Sequence, residues 1–196
     1  MTERDRQAAV EAAFAECIRL HERAMRRDAD VLLAAAGAVS RALAAGGRVL
    51  ICGNGGSAAD AQHFAAELVG RFIRERRGLA AVALTTDTSI LTAVANDYGF
   101  ERVFARQVEA LGRPGDVLLG ISTSGRSPNV LAALAAARGG QMATIALTGG
   151  DGGPIGAAAD IHVNVPSPSA ARTQEVHRTM LHAICELVEA GFAGDA

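Results

Sequence analysis

The sequence predicts an α/β fold with a parallel sheet covered by helices on both faces, and three observations predict it. From residue 46 onward, short apolar runs alternate with segments of helical spacing. The runs are continuous stretches of Val, Ile, Leu and Ala, as strands buried on both faces require. Two of them, RVLI and DVLLGI, end in polar glycine-containing turns, CGNGGS and STSGRS, and each turn opens a helix. In such sheets, ligands bind at the carboxyl ends of the strands.

In chain order, Val10, Phe14, Cys17, Ile18, His21 and Met25 follow helical spacing. A second, Ala- and Leu-rich helix is expected from about Asp28 to Ala45, stopped by Gly46 and Gly47. RVLIC then reads as a buried strand and SAADAQHFAAELVGRF as a helix. LAAVALT is a strand, followed by helical TSILTAVAND and ERVFARQVEAL. DVLLGIS is a strand, SPNVLAALAAAR a helix, MATIALT a strand and DIHVNV a last short strand. RTQEVHRTMLHAICELVEA closes the chain as a helix. No repeat or linker interrupts the series, so one domain is expected over residues 1–196, with N-terminal helices over 1–45 and the core over 46–196. The arginine-rich RFIRERRG is the expected mobile surface loop.

Composition narrows the chemistry. All 19 basic residues are Arg, with no Lys, which excludes a Walker-type phosphate loop and Schiff-base catalysis. The net charge of −2 and the lack of long basic runs leave no footprint for direct nucleic-acid binding. The first residues, MTERDRQ, are charged and lead into an amphipathic helix, and no apolar stretch is long enough to span a membrane. Cys17, Cys52 and Cys185 are scattered and odd in number, which suits free thiols in a cytoplasmic protein.

The two turns share a chemistry. Glycines let the backbone approach an anion, and a helix N-terminus offers free N–H groups. Ser57 stands where a helix cap would, and Ser122, Thr123, Ser124 and Ser127 place hydroxyls around the second turn. Helix capping alone explains one such turn; two in one sheet point to a phosphate ester of a small polar molecule. GNGGSA lacks the spacing of a dinucleotide fingerprint.

His63 and Glu67 are i, i+4 on the helix behind the first turn and share a face. Imidazole with carboxylate suits zinc, although the same pair also occurs on solvated helices. The closing helix adds Gln174, Glu175, His177 and His182. Gln174 and His177 share a face, whereas His182 stands about 80° and ~12 Å from Gln174 by helix geometry. Spacing leaves His177 and His182 both open. His21, in the apolar seam of the first helix, and His162, on the last strand, read as structural.

Taken together, CGNGGSAADAQHFAAEL, VANDYGF, GDVLLGISTSG, IALTGGDGG and RTQEVHRTMLH resemble the phosphoheptose isomerase family of the sugar-isomerase (SIS) group, over nearly the whole chain. The resemblance implies a three-layer αβα sandwich with a five-stranded parallel sheet and a homotetramer. It implies conversion of sedoheptulose 7-phosphate to D-glycero-D-manno-heptose 7-phosphate. By that resemblance, one zinc per subunit would be bound by His63, Glu67, Gln174 and His182, and Glu67 with His182 would form the acid/base pair of an enediol mechanism. Asn54, Gly55, Gly56, Ser57, Asn96, Asp97, Ser122, Thr123, Ser124, Ser127 and Gln174 would line the sugar-phosphate site. Arg71 matches a family arginine near that site, and Asp60 an acidic position near the metal. The chain departs from the family at Arg126, where a small polar residue is common, and at Ala171, where some members carry Asp. A second reading is a related, non-catalytic protein that binds the bacterial replication initiator; its pattern lacks equivalents of Glu67 and His182.

Overall fold

The computed structural model describes residues 1–194; the domain expected from the sequence runs two residues further, outside the described residues. Two helices, α1 (Glu3–Arg27) and α2 (Ala29–Ala44), precede the core. Five strands follow: β1 (Val49–Gly53), β2 (Ala81–Ala83), β3 (Val117–Ser122), β4 (Ala143–Gly149) and β5 (Ile161–Val165). All pairings are parallel, in the order β2-β1-β3-β4-β5. The connecting helices are α3 (Gly56–Val69), α4 (Thr88–Tyr98), α5 (Ala105–Leu111), α6 (Pro128–Gly139) and α7 (Gly153–Ala158), and α8 (Ala170–Ala190) ends the series.

Strand residues alternate between two cores, one on each face of the sheet. Val49, Ile51, Val117 and Leu119 pack with Ala61, Phe64 and Leu68 of α3 and with Leu181 and Ile184 of α8. Leu50, Cys52 and Leu118 pack on the other face with Val108 of α5, Val130 and Leu134 of α6, and Ile155 of α7. The helix after β1 therefore covers one face and the helix after β3 the other. In a doubly wound sheet, that reversal leaves a crevice between the two central strands at their carboxyl ends. Both polar turns, after β1 and after β3, open into it.

Several boundaries differ from the sequence reading. α3 ends at Val69, short of the expected Phe72, because Gly70 terminates it with its N–H on the carbonyl of Ala66. β2 is three residues long where seven were expected, as befits an edge strand. ERVFARQVEAL divides into a 3-10 turn (Phe100–Arg102) and α5. The short α7 has no counterpart in the sequence reading: GPIGAA carries too little periodicity to signal a helix. α1 begins with a reciprocal cap between Thr2 and Asp5 and buries no residue.

Candidate functional site

The turn after β1 depends on Gly55, whose φ of 54° and ψ of −121° favour glycine. Gly55 is the N-cap of α3, and no side chain caps the helix. Ser57, expected as the cap, lies inside the first turn and is buried. The neighbouring Asn54 pairs reciprocally with Asn129 of α6, each amide nitrogen donating to the other's oxygen at 2.9 Å. This pair of hydrogen bonds ties the turn after β1 to the helix after β3 across the crevice.

The second turn keeps its hydroxyls off the helix as well. Ser127 is the N-cap of α6 but makes no capping hydrogen bond. Its Oγ instead lies 2.8 Å from Ser122 Oγ, and Ser124 Oγ lies 3.4 Å from Ser122 Oγ. Ser124 Oγ also accepts the backbone N–H of Arg126 at 3.2 Å. Capping therefore does not explain these serines. A cleft of about 310 Å³ opens beside them, lined by Asn54, Phe100, Glu101, Ser127, Pro128 and Asn129.

The third component stands two to three helical turns along α3. His63 Nε2 lies 2.8 Å from His182 Nε2 and 3.2 Å from Glu67 Oε1. One donor atom from each residue falls within 4.8 Å of the others, the one such group of metal-type side chains among the described residues. All three are half-buried. Burial, and next the nearby Arg178 charge, lower the His63 pKa from 6.5, against the opposing pull of Glu67. A neutral imidazole with an open lone pair is the form that ligates metal. Asp60, a turn earlier, is buried and accepts Arg178 Nε at 2.9 Å and Nη2 at 2.6 Å through one oxygen.

The choice that spacing left open is visible here. His182 faces α3, whereas His177 is fully buried with Nε2 3.0 Å from the Thr148 carbonyl. His21 bonds Thr179 and the Cys17 carbonyl, and His162 bonds Thr148, and neither joins the His63 group. Gln174 packs on Gly56: a Cβ there would stand 2.5 Å from Gln174 Nε2. That contact lies at the turn end of α3, not at the His63 level. Arg71 is exposed beside Glu75 at 3.8 Å, and Asn96 donates to Asp97 at 2.8 Å on the exposed end of α4. No hydrogen bond or ion pair links these three to the triad among the described residues.

Known proteins supply the remaining observation. A SIS domain family profile matches residues 14–149. The phosphoheptose isomerase of a Roseiflexus species is 59% identical over 172 residues, covering 88% of this chain and 87% of that protein. The phosphoheptose isomerase of Bordetella avium is 54% identical over 185 residues, covering 93% and 94% respectively. The solved structure of a phosphoheptose isomerase from Neisseria gonorrhoeae superposes with a TM-score of 0.89 at 52% identity, covering 94% of this chain and 98% of that one. The chain belongs to the phosphoheptose isomerase family of SIS-domain proteins. It is a sugar-phosphate isomerase, and the non-catalytic scaffold reading finds no support among these relatives.

Against that family, two departures gain a structural setting. Arg126 turns its guanidinium to Asp151 across an exposed loop, and Ala171 is the second residue of α8. Three contributors escaped the sequence reading. Asn129 braces Asn54, Arg178 holds Asp60, and the Phe72 ring lies 5.4 Å from the His182 ring. Asn129 had a signal, since it stands two residues after the serine-rich turn. The other two are recognisable only once α3 and α8 are side by side.

Proposed function

We propose that the chain interconverts sedoheptulose 7-phosphate and D-glycero-D-manno-heptose 7-phosphate with one zinc per subunit. The observation that carries this reading is the convergence of His63, Glu67 and His182 at one level of α3 while glycines and serines gather at its start. The donor set fits zinc, which takes imidazole nitrogen and carboxylate oxygen at about 2.0–2.2 Å. Small side-chain adjustments would let atoms within 4.8 Å of one another hold one such ion. From Gly56 to His63, α3 rises about 10.5 Å, a length that suits a long open-chain sugar phosphate with its two ends held apart.

When bound, zinc supplies Lewis-acid polarisation at the substrate carbonyl. The chain's own groups move the protons. In the ketose-to-aldose direction, Glu67 takes a proton from C1 and returns it to C2 through an enediol, while His182 carries the O1 hydroxyl proton to O2. Ser122, Thr123, Ser124, Ser127 and the N–H groups around Asn54, Gly55, Gly56 and Ser57 hold the phosphate by hydrogen bonds. Gripping the far end of the substrate places C1 and C2 at the triad. Of the two roles expected for Gln174, metal ligand and substrate contact, its place beside Gly56 supports the second. Arg71, Asn96 and Asp97 enter as substrate-side residues.

The reading extends to a cytoplasmic homotetramer. Val10, Phe14, Ile18 and Met25 form an exposed apolar face on α1, which a neighbouring subunit would cover. Cys17, Cys52 and Cys185 are free thiols, and no described helix is long and apolar enough to cross a membrane.

The test is turnover of sedoheptulose 7-phosphate by purified protein after chelation, with and without added zinc. Zinc-restored formation of the aldose phosphate is expected. A folded protein that binds zinc yet leaves this ketose unchanged would overturn the substrate assignment.

A further inference from the structure

Glu67 occupies the last turn of α3, which ends at Val69. The last four carbonyls of a helix have no partner within it, and helix ends fray. A functional carboxylate there is held only as firmly as its own backbone. Arg76 supplies donors from beyond the helix, sharing the Leu68 carbonyl with the N–H of Leu79. Its Nη2 donates to the Glu67 carbonyl at 2.7 Å, and its Nη1 donates to those of Leu68 and Gly70 at 2.8 Å each.

The Arg76 side chain is 0% exposed, and its counter-ion is Glu189, with Nε to Oε1 at 3.6 Å. Glu189 stands seven residues after His182 on α8, two turns along the same face. Its carboxylate accepts the backbone N–H groups of Phe72, Ile73 and Arg74 at 2.9, 2.9 and 2.8 Å. Burial alone would raise the Glu189 pKa; the three amides and Arg76 outweigh it and hold the group below 4.5. The segment clamped in this way carries Phe72, whose ring lies 5.4 Å from that of His182. The expected mobile loop is therefore anchored from inside, and the Glu67 backbone is bonded, through one buried ion pair, to the helix that carries His182.

Stability alone is a poor reason for such a pair, since apolar residues of similar volume often replace a buried ion pair without loss. We propose that Arg76 and Glu189 are positioning residues whose pairing fixes the Glu67 backbone relative to His182 and so sets metal affinity and turnover. This rests on reading His63, Glu67 and His182 as a metal and proton-transfer site.

Two full-length variants test it. Arg76→Lys keeps the buried charge but lacks the planar fork that reaches several carbonyls. The double variant Arg76→Met with Glu189→Gln removes both charges and retains an acceptor for the loop amides. Zinc affinity by chelator competition, the visible spectrum of the cobalt-loaded protein, kcat and KM are measured where circular dichroism shows a folded chain. Outer partners of metal ligands typically contribute about 10–100-fold in affinity or activity. Losses of that order in zinc affinity and kcat are expected, with an altered cobalt spectrum and little change in KM, because the phosphate turns are untouched. A folded variant of either kind with wild-type zinc affinity, spectrum and kcat would overturn the proposal. Should the wild-type chain bind zinc without turning over sedoheptulose 7-phosphate, the affinity and spectral comparisons still decide this inference, and only the substrate reading fails.

Discussion

Gly56→Ala separates the architecture of the glycine turn after β1 from its proposed function. A Cβ at this position would meet Gln174 Nε2 at 2.5 Å and its Cδ and Oε1 at 2.8 Å, where ordinary contacts are 3.4–4 Å. All three atoms belong to the end of one flexible side chain, so relief requires the amide to swing by about 1 Å, at a rotamer cost of roughly 0.5–1.5 kcal/mol. Replacing glycine with alanine in a helix returns up to about 1 kcal/mol, less at this first helical position. The two effects nearly cancel. In a chain of this length each kcal/mol moves Tm by about 2–4 °C, so Tm should shift by no more than a few degrees. Function should respond differently, because the Gln174 amide leaves the turn. Losing one hydrogen bond to substrate costs about 0.5–1.5 kcal/mol, or roughly a twofold to tenfold rise in KM. Steady-state kinetics with sedoheptulose 7-phosphate and a thermal melt measure both quantities. An unchanged KM would refute a substrate role for Gln174 at this turn. A collapse of Tm by about 10 °C or more would show that backbone, and not the side chain, absorbs the methyl group.

Two further outcomes are expected. Glu67→Gln should reduce kcat by about 10²–10⁴-fold, the usual contribution of a positioned acid or base, while the circular dichroism spectrum is unchanged; near-wild-type turnover would remove Glu67 from the mechanism. Burial holds the His177 pKa below 6.5, and burial likewise lowers those of His162 and His63. A histidine kept neutral by the fold contributes stability that is present above its unfolded pKa and is lost as pH falls through the lower folded value. The urea midpoint of the apo-protein should therefore fall from pH 7 to pH 5, and less steeply in His177→Gln; an identical pH dependence in that variant would contradict the argument.

The periodic parts of the chain were legible, and so were the types of residue at the site. β1, β3 and β4 are continuous apolar runs, and their burial on both faces follows from that pattern alone. The pairing of His63 with Glu67 followed from the helical repeat. What stayed illegible depends on contacts between elements distant in sequence. Spacing gives the angle between His177 and His182 but not which angle faces the sheet. Val176, Leu181 and Ile184 settle that by packing into the core, which turns His177 to Thr148 and leaves His182 toward α3. RFIRERRG looked like a solvated loop because four of its eight residues are Arg. One of them, Arg76, is buried, with helix-end carbonyls as acceptors and Glu189, from the far end of the chain, as its counter-ion. Ser57 looked like a cap because local sequence does not reveal that Gly55 takes that place.

The site is ordered by two helices that run side by side in the same direction. Gly56 meets Gln174, Asp60 meets Arg178, His63 meets His182, and the segment after α3 meets Glu189. From the first contact to the third, each step advances by three or four residues on both helices, and the fourth joins α8 to the segment beyond α3, so the alignment is held at four levels and not by any one bond. A single helix fixes the spacing of its own side chains, but it leaves open the distance from a glycine turn to a ligand on another element. Two aligned helices close that freedom, because a slip at one level breaks the contacts at the other three. The neutral end of the pair, glycine and hydroxyl, and the imidazole and carboxylate end are thus held a set distance apart. In the proposed reaction, that distance selects a substrate that reaches from one end to the other.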